Sequence, residues 1–294
     1  MQTKHSLFHA EETRLYEQDA FDGKDPGGQT LAINADGAAS HAHSLPKVAG
    51  RVPKSMPEWQ QKLQGLVVHG RALFFFNLFH GVRGGADMFL TTLLRTFQLL
   101  GTSLPRVVKL HIDGGSEGWN AAMLAFVDLC FDIYPQMDEF YVSRFAVGHT
   151  HADIDRFFGY INQILFGTAA GGKKAGVDVP TREEFKRLCL EAMKTKKDTM
   201  LLDHHMEDLL FAFDFWALLK PHINPAFKNY GSTGPIHVLR FKRQAGRPTP
   251  HITYKYWSQS AQWLPADGSS LKILNTRSNL LAAEVKVCPM SRTQ

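Results

Sequence analysis

From Thr30 to Gly167 the chain alternates two kinds of apolar pattern, and their order restricts the fold more than composition does. "TLAINAD" (30–36), "LQGLVVHG" (63–70) and "RALFFFNLFHG" (71–81) are short apolar runs bounded by glycine or polar loops, as strands are. "GADMFLTTLLRTFQLLG" (85–101) places Phe89, Leu93, Phe97 and Leu100 on one helical stripe and stops at glycine. "RVVKLHID" (106–113) is a strand again, and "GWNAAMLAFVDLCFDIYP" (118–135) is a helix ended by proline. "EFYVSRFAV" (139–147) and "THADIDRFFGYINQILFG" (150–167) repeat the strand–helix pair. Three strands in succession suit hairpins, whereas strand–helix–strand units need crossovers. The expectation is therefore an α/β fold built on one mixed sheet flanked by helices.

The same element order is that of the ribonuclease H-like (RNase H-like) fold, so residues 29–168 are expected to form an RNase H-like core. A flexible or loosely docked arm, 1–28, precedes it and ends in the breaker "KDPGGQ". After it, "REEFKRLCLEAMKT" and "LDHHMEDLLFAFDFWALLK" read as a helical extension (169–230). Residues 231–266 read as a basic, aromatic, strand-rich segment with a turn, and 267–294 as a tail.

Composition narrows the setting. At 294 residues, 44% hydrophobic and 21% charged, the chain has ample material for a core. Its longest apolar run, "ALFFFNLF", is far short of a membrane span, and the polar, partly acidic beginning lacks a secretory signal. Three distant cysteines suggest neither a disulfide framework nor a zinc ribbon. The expected setting is nuclear or cytoplasmic, not secreted, without a membrane partner. Self-association is left open.

Charge is unevenly spread. Between Phe215 and Ala266 there is no Asp or Glu, yet the window holds Arg240, Lys242, Arg243, Arg247 and Lys255 among Tyr254, Tyr256 and Trp257. Cations interleaved with aromatic rings suit a nucleic acid, whose backbone is anionic and whose bases stack. A solvated basic sheet edge would read the same way.

In sheets of this kind, ligands gather beyond the carboxyl ends of strands. Asp36 ends the first strand, Asp113 ends the fourth, and Asp155 lies in the first turn of the helix that leaves the fifth. Three converging carboxylates would supply the hard oxygen ligands that two Mg²⁺ or Mn²⁺ ions need for phosphodiester chemistry. Each acid also has a structural reading: Asp-Gly at 36–37 and 113–114 suits turns, and Thr150 with Asp153 forms a capping box. Around the last helix Ile154, Phe158, Ile161 and Leu165 form the buried stripe, while His151, Asp155 and Asn162 line one flank.

The stretch "VGHTHADIDRFFG" (147–159) allows a second chemistry. His-x-His-x-Asp between a strand and a helix is similar to the zinc box of metallo-β-lactamases, although Ile154 stands where that box needs histidine. His204, His205, Asp214 and His222 would have to complete such a site.

"LHIDGGSEGWNAAMLAFVDLCFDIYP" followed by "FAVGHTHADIDRFFG" resembles transposon-derived proteins with an uncharacterised transposase-like domain. In that family a strand ends in Asp-Asn before a Gly-Gln-Asn-Lys-Asn-like stretch, and a "GHTHEDID-x-FF" signature follows. An Asp and a Leu-Pro element on the first strand are matched by Asp36 and "SLP" at 44–46. The resemblance spans roughly residues 30–260. It implies an RNase H-like domain of the DDE/DDD type with Asp36, Asp113 and Asp155 as aligned acids. It further implies that His149, His151 and Asn120 support them from behind. Gly114 in place of the family's Asn, Glu117 and Gly118 in its Gln-Asn positions, and Ala152 in place of Glu are departures. The chain thus reads as a DNA-directed, divalent-metal-dependent nuclease or integrase-like domain, or as a domesticated remnant that binds nucleic acid without cutting it. A zinc hydrolase stands third.

Overall fold

The computed structural model describes residues 2–25, 27–38, 44–46, 61–79, 81–82, 84–101, 104–113, 115, 118–145, 153–166, 176–194, 203–225, 227, 236–247, 249–257, 260–275 and 280. The expected segments appear as β1 (Thr30–Gly37), β2 (Lys62–Val68), β3 (Ala72–Leu78), α2 (Ala86–Leu100), β4 (Val107–Ile112), α3 (Ala121–Ile133), β5 (Glu139–Arg144) and α4 (Asp153–Phe166). Ahead of them lies α1 (Gln2–Gly23). After them come α5 (Arg182–Lys194), β6 (Asp203–Leu209), α6 (Phe215–Leu219), β7 (Val238–Lys242) and β8 (His251–Lys255).

All eight strands form one mixed sheet in the order β6-β3-β2-β1-β4-β5-β7-β8. β1, β2 and β3 are an antiparallel meander, while β4 pairs parallel to β1 and β5 parallel to β4. β7 and β8 add an antiparallel hairpin to β5, and β6 adds a parallel edge to β3. The segments after residue 169 therefore extend the same sheet that residues 29–168 begin.

Strand alternation splits the core in two. Leu31, Ile33, Ala35, Leu66, Phe74, Leu110, Phe140 and Phe241 meet α2, α3 and α6 on one face. Leu63, Val67, Leu73 and Phe75 meet Ile154, Phe158 and Ile161 of α4 and Phe185 and Cys189 of α5 on the other. β3 is buried at every position, which is why "ALFFFNL" shows no polar alternation.

Two segments differ from expectation. The loose arm is instead a 22-residue helix, α1, docked through buried Tyr16 and Ala20. Gly23 allows the approach, since a Cβ there would lie 2.9 Å from Cβ of Ala32 on β1. Asp203–Leu209, expected to be helical, is a strand, and helix begins only at Phe215. Met206 enters the α4–α5 core while His205 stacks on Phe74 at 4.8 Å and Glu207 holds Arg95 on the opposite face. The backbone edge of phenylalanine-rich β3 offers seven paired positions to it, and that pairing outweighs the local helical pattern.

Candidate functional site: paired acids and a basic sheet face

The parallel register of β1 and β4 brings Ala35 opposite Ile112, so Asp36 and Asp113 follow as neighbours at the carboxyl ends of adjacent strands. Together with Gln64, Phe89, Gly115 and Gly118 they line a pocket of about 160 Å³. Each carboxylate accepts a backbone N–H: Asp36 Oδ1 from Gly37 at 2.7 Å, and Asp113 Oδ1 from Gly115 at 3.0 Å. A Cβ at Gly115 would stand 2.9 Å from Asp113 Oδ1, so the carboxylate needs glycine there to fold back. The turn chemistry and the convergence of the two acids thus coexist.

Asp155 does not line that pocket. It lies half-buried in the first turn of α4, one residue after Ile154, whose Cδ1 rests on Gly65, the β2 residue opposite Asp36. Helix residues step by about 100°, so Asp153 and Asp155 flank Ile154 on opposite sides. Asp153 meets Tyr16 and His69, the latter bonded through its backbone N–H to Ala32 in the first half of β1. Asp155 is on the other flank. Among the described residues no three His, Cys, Asp or Glu side chains are grouped to hold a metal ion. His149 and His151 lie outside the described residues. The Asn120 side chain caps α3, accepting from the Met123 N–H at 2.9 Å.

Sequence reading missed the cluster that fixes α4. The Tyr16 hydroxyl donates to Asp153 Oδ2 at 3.1 Å, and His69 Nε2 lies 3.2 Å from the same hydroxyl. Because the phenol proton goes to Asp153, Nε2 of His69 is the donor in the second bond. Burial, and then the charge of Asp153, pushes the Tyr16 phenol above its ordinary value. Burial holds His69 down to about 4 despite the opposing charge of Asp153. The 3.7 Å approach of His69 Nδ1 to Asp153 is therefore not an ion pair near neutral pH. A second α1 residue, Asp19, reaches Lys109 at 2.5 Å and His111 at 3.1 Å on β4. Burial alone would raise its carboxyl, but His111 and Lys109 hold it below the ordinary range. No local motif advertises these contacts, because they join residues 53 to 137 positions apart.

The five basic candidates separate by environment. Arg240 and Lys255 lie 4.4 and 4.7 Å from the centroid of one ring, Trp263. Lys242 pairs with Glu139 at 2.7 Å. Arg247 is exposed in the turn between β7 and β8. Arg243 is turned inward: it donates to the carbonyls of Phe131 (2.6 Å), Met137 (2.8 Å) and Tyr134 (3.2 Å). It thereby ties the last turn of α3, where the Phe131 carbonyl has no helical donor, to the Tyr134–Met137 turn that follows.

The zinc alternative cannot bring both adjacent histidines to one ion. His204 and His205 alternate on β6 and face opposite sides of the sheet. Asp214 caps α6 by accepting from the Ala217 N–H at 2.9 Å.

Fold and site together define a mixed α/β protein with two adjacent acids at strand ends and a basic, aromatic sheet margin. The chain belongs to the family described as Domain of unknown function (DUF7869), which matches residues 54–260. The match includes Asp113 and Asp155 but begins after Asp36. No curated protein and no solved structure matches the chain. Among the described residues no helix is long and apolar enough to cross a membrane.

Proposed function

We propose that this chain is an RNase H-like, transposase-derived domain that acts on DNA phosphodiesters through Asp36, Asp113 and Asp155. The observation that carries the reading is the shared pocket of Asp36 and Asp113 on neighbouring parallel strands. Supporting it, the chain order of three strands followed by helix, strand, helix, strand and helix is the one expected of an RNase H-like core, and its five strands lie side by side in one sheet.

The donor chemistry fits a hard divalent cation. Asp36 and Asp113 would hold Mg²⁺ or Mn²⁺, with Asp155 supplying a third carboxylate. When bound, such ions supply activation of a hydroxyl nucleophile and charge stabilisation at phosphate. The chain's own contribution is positional. Gly37 and Gly115 N–H groups fix one oxygen of each strand-end acid. Tyr16 and the Ile154–Gly65 contact seat α4 and with it Asp155. His149 and His151 would contact phosphate or brace the acids, and Arg240, Lys242, Arg247 and Lys255 would hold the DNA backbone.

A metal-dependent nicking assay tests the reading. Labelled DNA is incubated with Mg²⁺ or Mn²⁺ and either the native chain or Asp113→Asn. Metal-dependent nicks from the native chain alone are expected, and equal signal from both proteins sinks the proposal. The second reading, a remnant that binds without cutting, draws on Gly114 and on the grouping of only two described acids. It predicts no nicks from either protein and retained, salt-sensitive DNA binding.

A further inference from the structure

The eight-stranded sheet ends in two edges, and the fold treats them differently. Along β8 the outer backbone is covered by its own chain. Tyr254 and Leu264 exchange bonds at 2.8 and 2.9 Å, and Leu271 donates to the Ile252 carbonyl at 2.9 Å. At the opposite edge β6 pairs with β3, and among the described residues no strand pairs with its other side. The two ends of β6 show which way its backbone groups turn. The Asp203 N–H donates to the Arg71 carbonyl and the Leu209 carbonyl accepts from Phe79, so both residues turn toward β3. Strand residues alternate, so His205 and Glu207 also turn toward β3. His204, Met206 and Asp208 present their N–H and C=O groups to the outer edge, which makes it a template for another strand.

Charged side chains on an edge strand ordinarily deter such pairing. The sequence of β6, "DHHMEDL", is instead complementary to itself. Two copies laid antiparallel about a two-fold axis through Met206 set His204 opposite Asp208 and His205 opposite Glu207, each pair occurring twice. In this register the outward groups of 204, 206 and 208 meet one another, as hydrogen-bonded antiparallel pairs require. Residues directly opposite share a face, so unlike charges there stabilise and like charges destabilise. The neighbouring registers fail that test. Sliding one copy by two residues sets Asp203 opposite Glu207 in one direction, and Glu207 opposite Glu207 in the other. Sliding by one residue sets outward backbone against inward backbone and forms no ladder.

The acids are held along the strand by their own chain. Arg95 donates to both oxygens of Glu207, and Arg182 donates to Asp208 at 2.8 Å. An ionised carboxylate has room for a further donor beside these, and an imidazole can donate in either protonation state. Leu210 and Phe211, 61% and 44% exposed, follow directly after β6 and continue the line of the paired strand with apolar surface.

We propose that β6 is a self-association edge, at which two copies of this chain join antiparallel about Met206 and extend one sheet through both. β6 runs parallel to β3 and, through two antiparallel steps, parallel to β1. The two-fold axis therefore sends the Asp36–Asp113 pockets of the two copies to opposite ends of the strands. The acids are not pooled, and the inference stands whether or not they cut DNA.

Sedimentation velocity of the full chain over a concentration series, with a thermal melt of every variant, tests the proposal. The native chain is expected to shift from monomer to dimer as concentration rises. His205→Glu sets like charge opposite the partner's Glu207 and is expected to weaken the dimer about 10-fold or more. His205→Gln loses the same stacking on Phe74 without adding charge, and is expected to dimerise nearly as the native chain does. That contrast separates repulsion across the edge from damage to the fold. Glu207→Lys alone is expected to be weakened as well. An equal mixture of His205→Glu with Glu207→Lys is expected to recover dimer, because the two introduced charges then stand opposite each other. A native chain that stays monomeric at about 100 μM overturns the proposal. So does a dimer of undiminished strength in His205→Glu, or a mixture of the two folded variants that recovers none.

Discussion

The Tyr16 hydroxyl donates to the Asp153 carboxylate at 3.1 Å, joining α1 to the first residue of α4 across 137 positions. The same oxygen meets His69, so one phenol serves two groups on separate elements. Tyr16→Phe keeps the ring packing against His69, His111 and Phe145 but removes the shared oxygen. Asp153 retains Arg156 at 2.9 Å, whereas buried His69 loses its acceptor. A destabilisation of about 1–3 kcal/mol is expected, read as a lower urea midpoint with unchanged slope.

His69 gives stability a defined dependence on pH. Burial holds its folded pKa to about 4, against about 6.5 in an unfolded chain. Between those values the unfolded state binds the extra proton, so the contribution is complete above about pH 6.5 and is lost as pH falls toward 4. The loss is on the order of 3 kcal/mol. In His69→Gln, urea melts at pH 7 and pH 4.5 are expected to lie closer together than in the native chain. Asp19 acts in a lower window. Its depressed carboxyl contributes above the ordinary carboxylate range and loses that contribution as pH falls through its folded pKa.

Gly65 is where β2 admits α4. A Cβ there would fall 2.4 Å from Ile154 Cδ1 and 3.1 Å from Phe158 Cζ, closer than packed atoms approach. Gly65→Ala is expected to cost about 1–3 kcal/mol by overpacking. Ile154→Val removes the Cδ1 atom in closest conflict. The double variant is therefore expected to be more stable than the two single losses predict, a coupling that urea melts can measure. In the nicking assay, Gly65→Ala is also expected to lower activity by displacing Asp155. Ile154→Val in the same chain is expected to restore part of it.

The central elements were legible because their signals are local. Alternating or continuous apolar runs marked β1 to β5, and Phe89, Leu93 and Phe97 marked α2 by their spacing. Asp36 and Asp113 could be nominated because strand ends are read from where apolar runs stop, and parallel register makes such ends neighbours. β6 was not legible, since "DHHMEDL" gains its strand character from the open edge of β3. Nor was α1, whose apolar residues form no strong stripe and whose docking depends on Tyr16, Asp19 and Ala20 meeting distant partners. The basic segment was legible as charge, but charge does not say which way a guanidinium turns. Trp263, the ring under which two of those cations gather, lay unmarked in a loop.

Arg243 makes that last distinction measurable. Its guanidinium spans the carbonyls of Phe131, Tyr134 and Met137 and lies 5.4 Å from the Phe131 ring, while its backbone N–H donates to Asp138 at 2.7 Å. A planar fork can reach three diverging carbonyls at once, whereas a lysine ammonium is a compact charge on a flexible stem. Arg243→Lys is therefore expected to lose about 1–3 kcal/mol although the charge is kept, because partly buried carbonyls lose their donor. Arg247→Gln removes an exposed charge from the turn and is expected to change stability by less than about 0.5 kcal/mol. The two variants should separate in opposite senses across two measurements. Arg243→Lys lowers the urea midpoint and, at temperatures where it remains folded, binds oligonucleotide with the native salt slope. Arg247→Gln melts like the native chain and loses part of that slope. A salt slope that drops in Arg243→Lys without any change in melting would return this residue to the binding surface and undo its assignment to the end of α3.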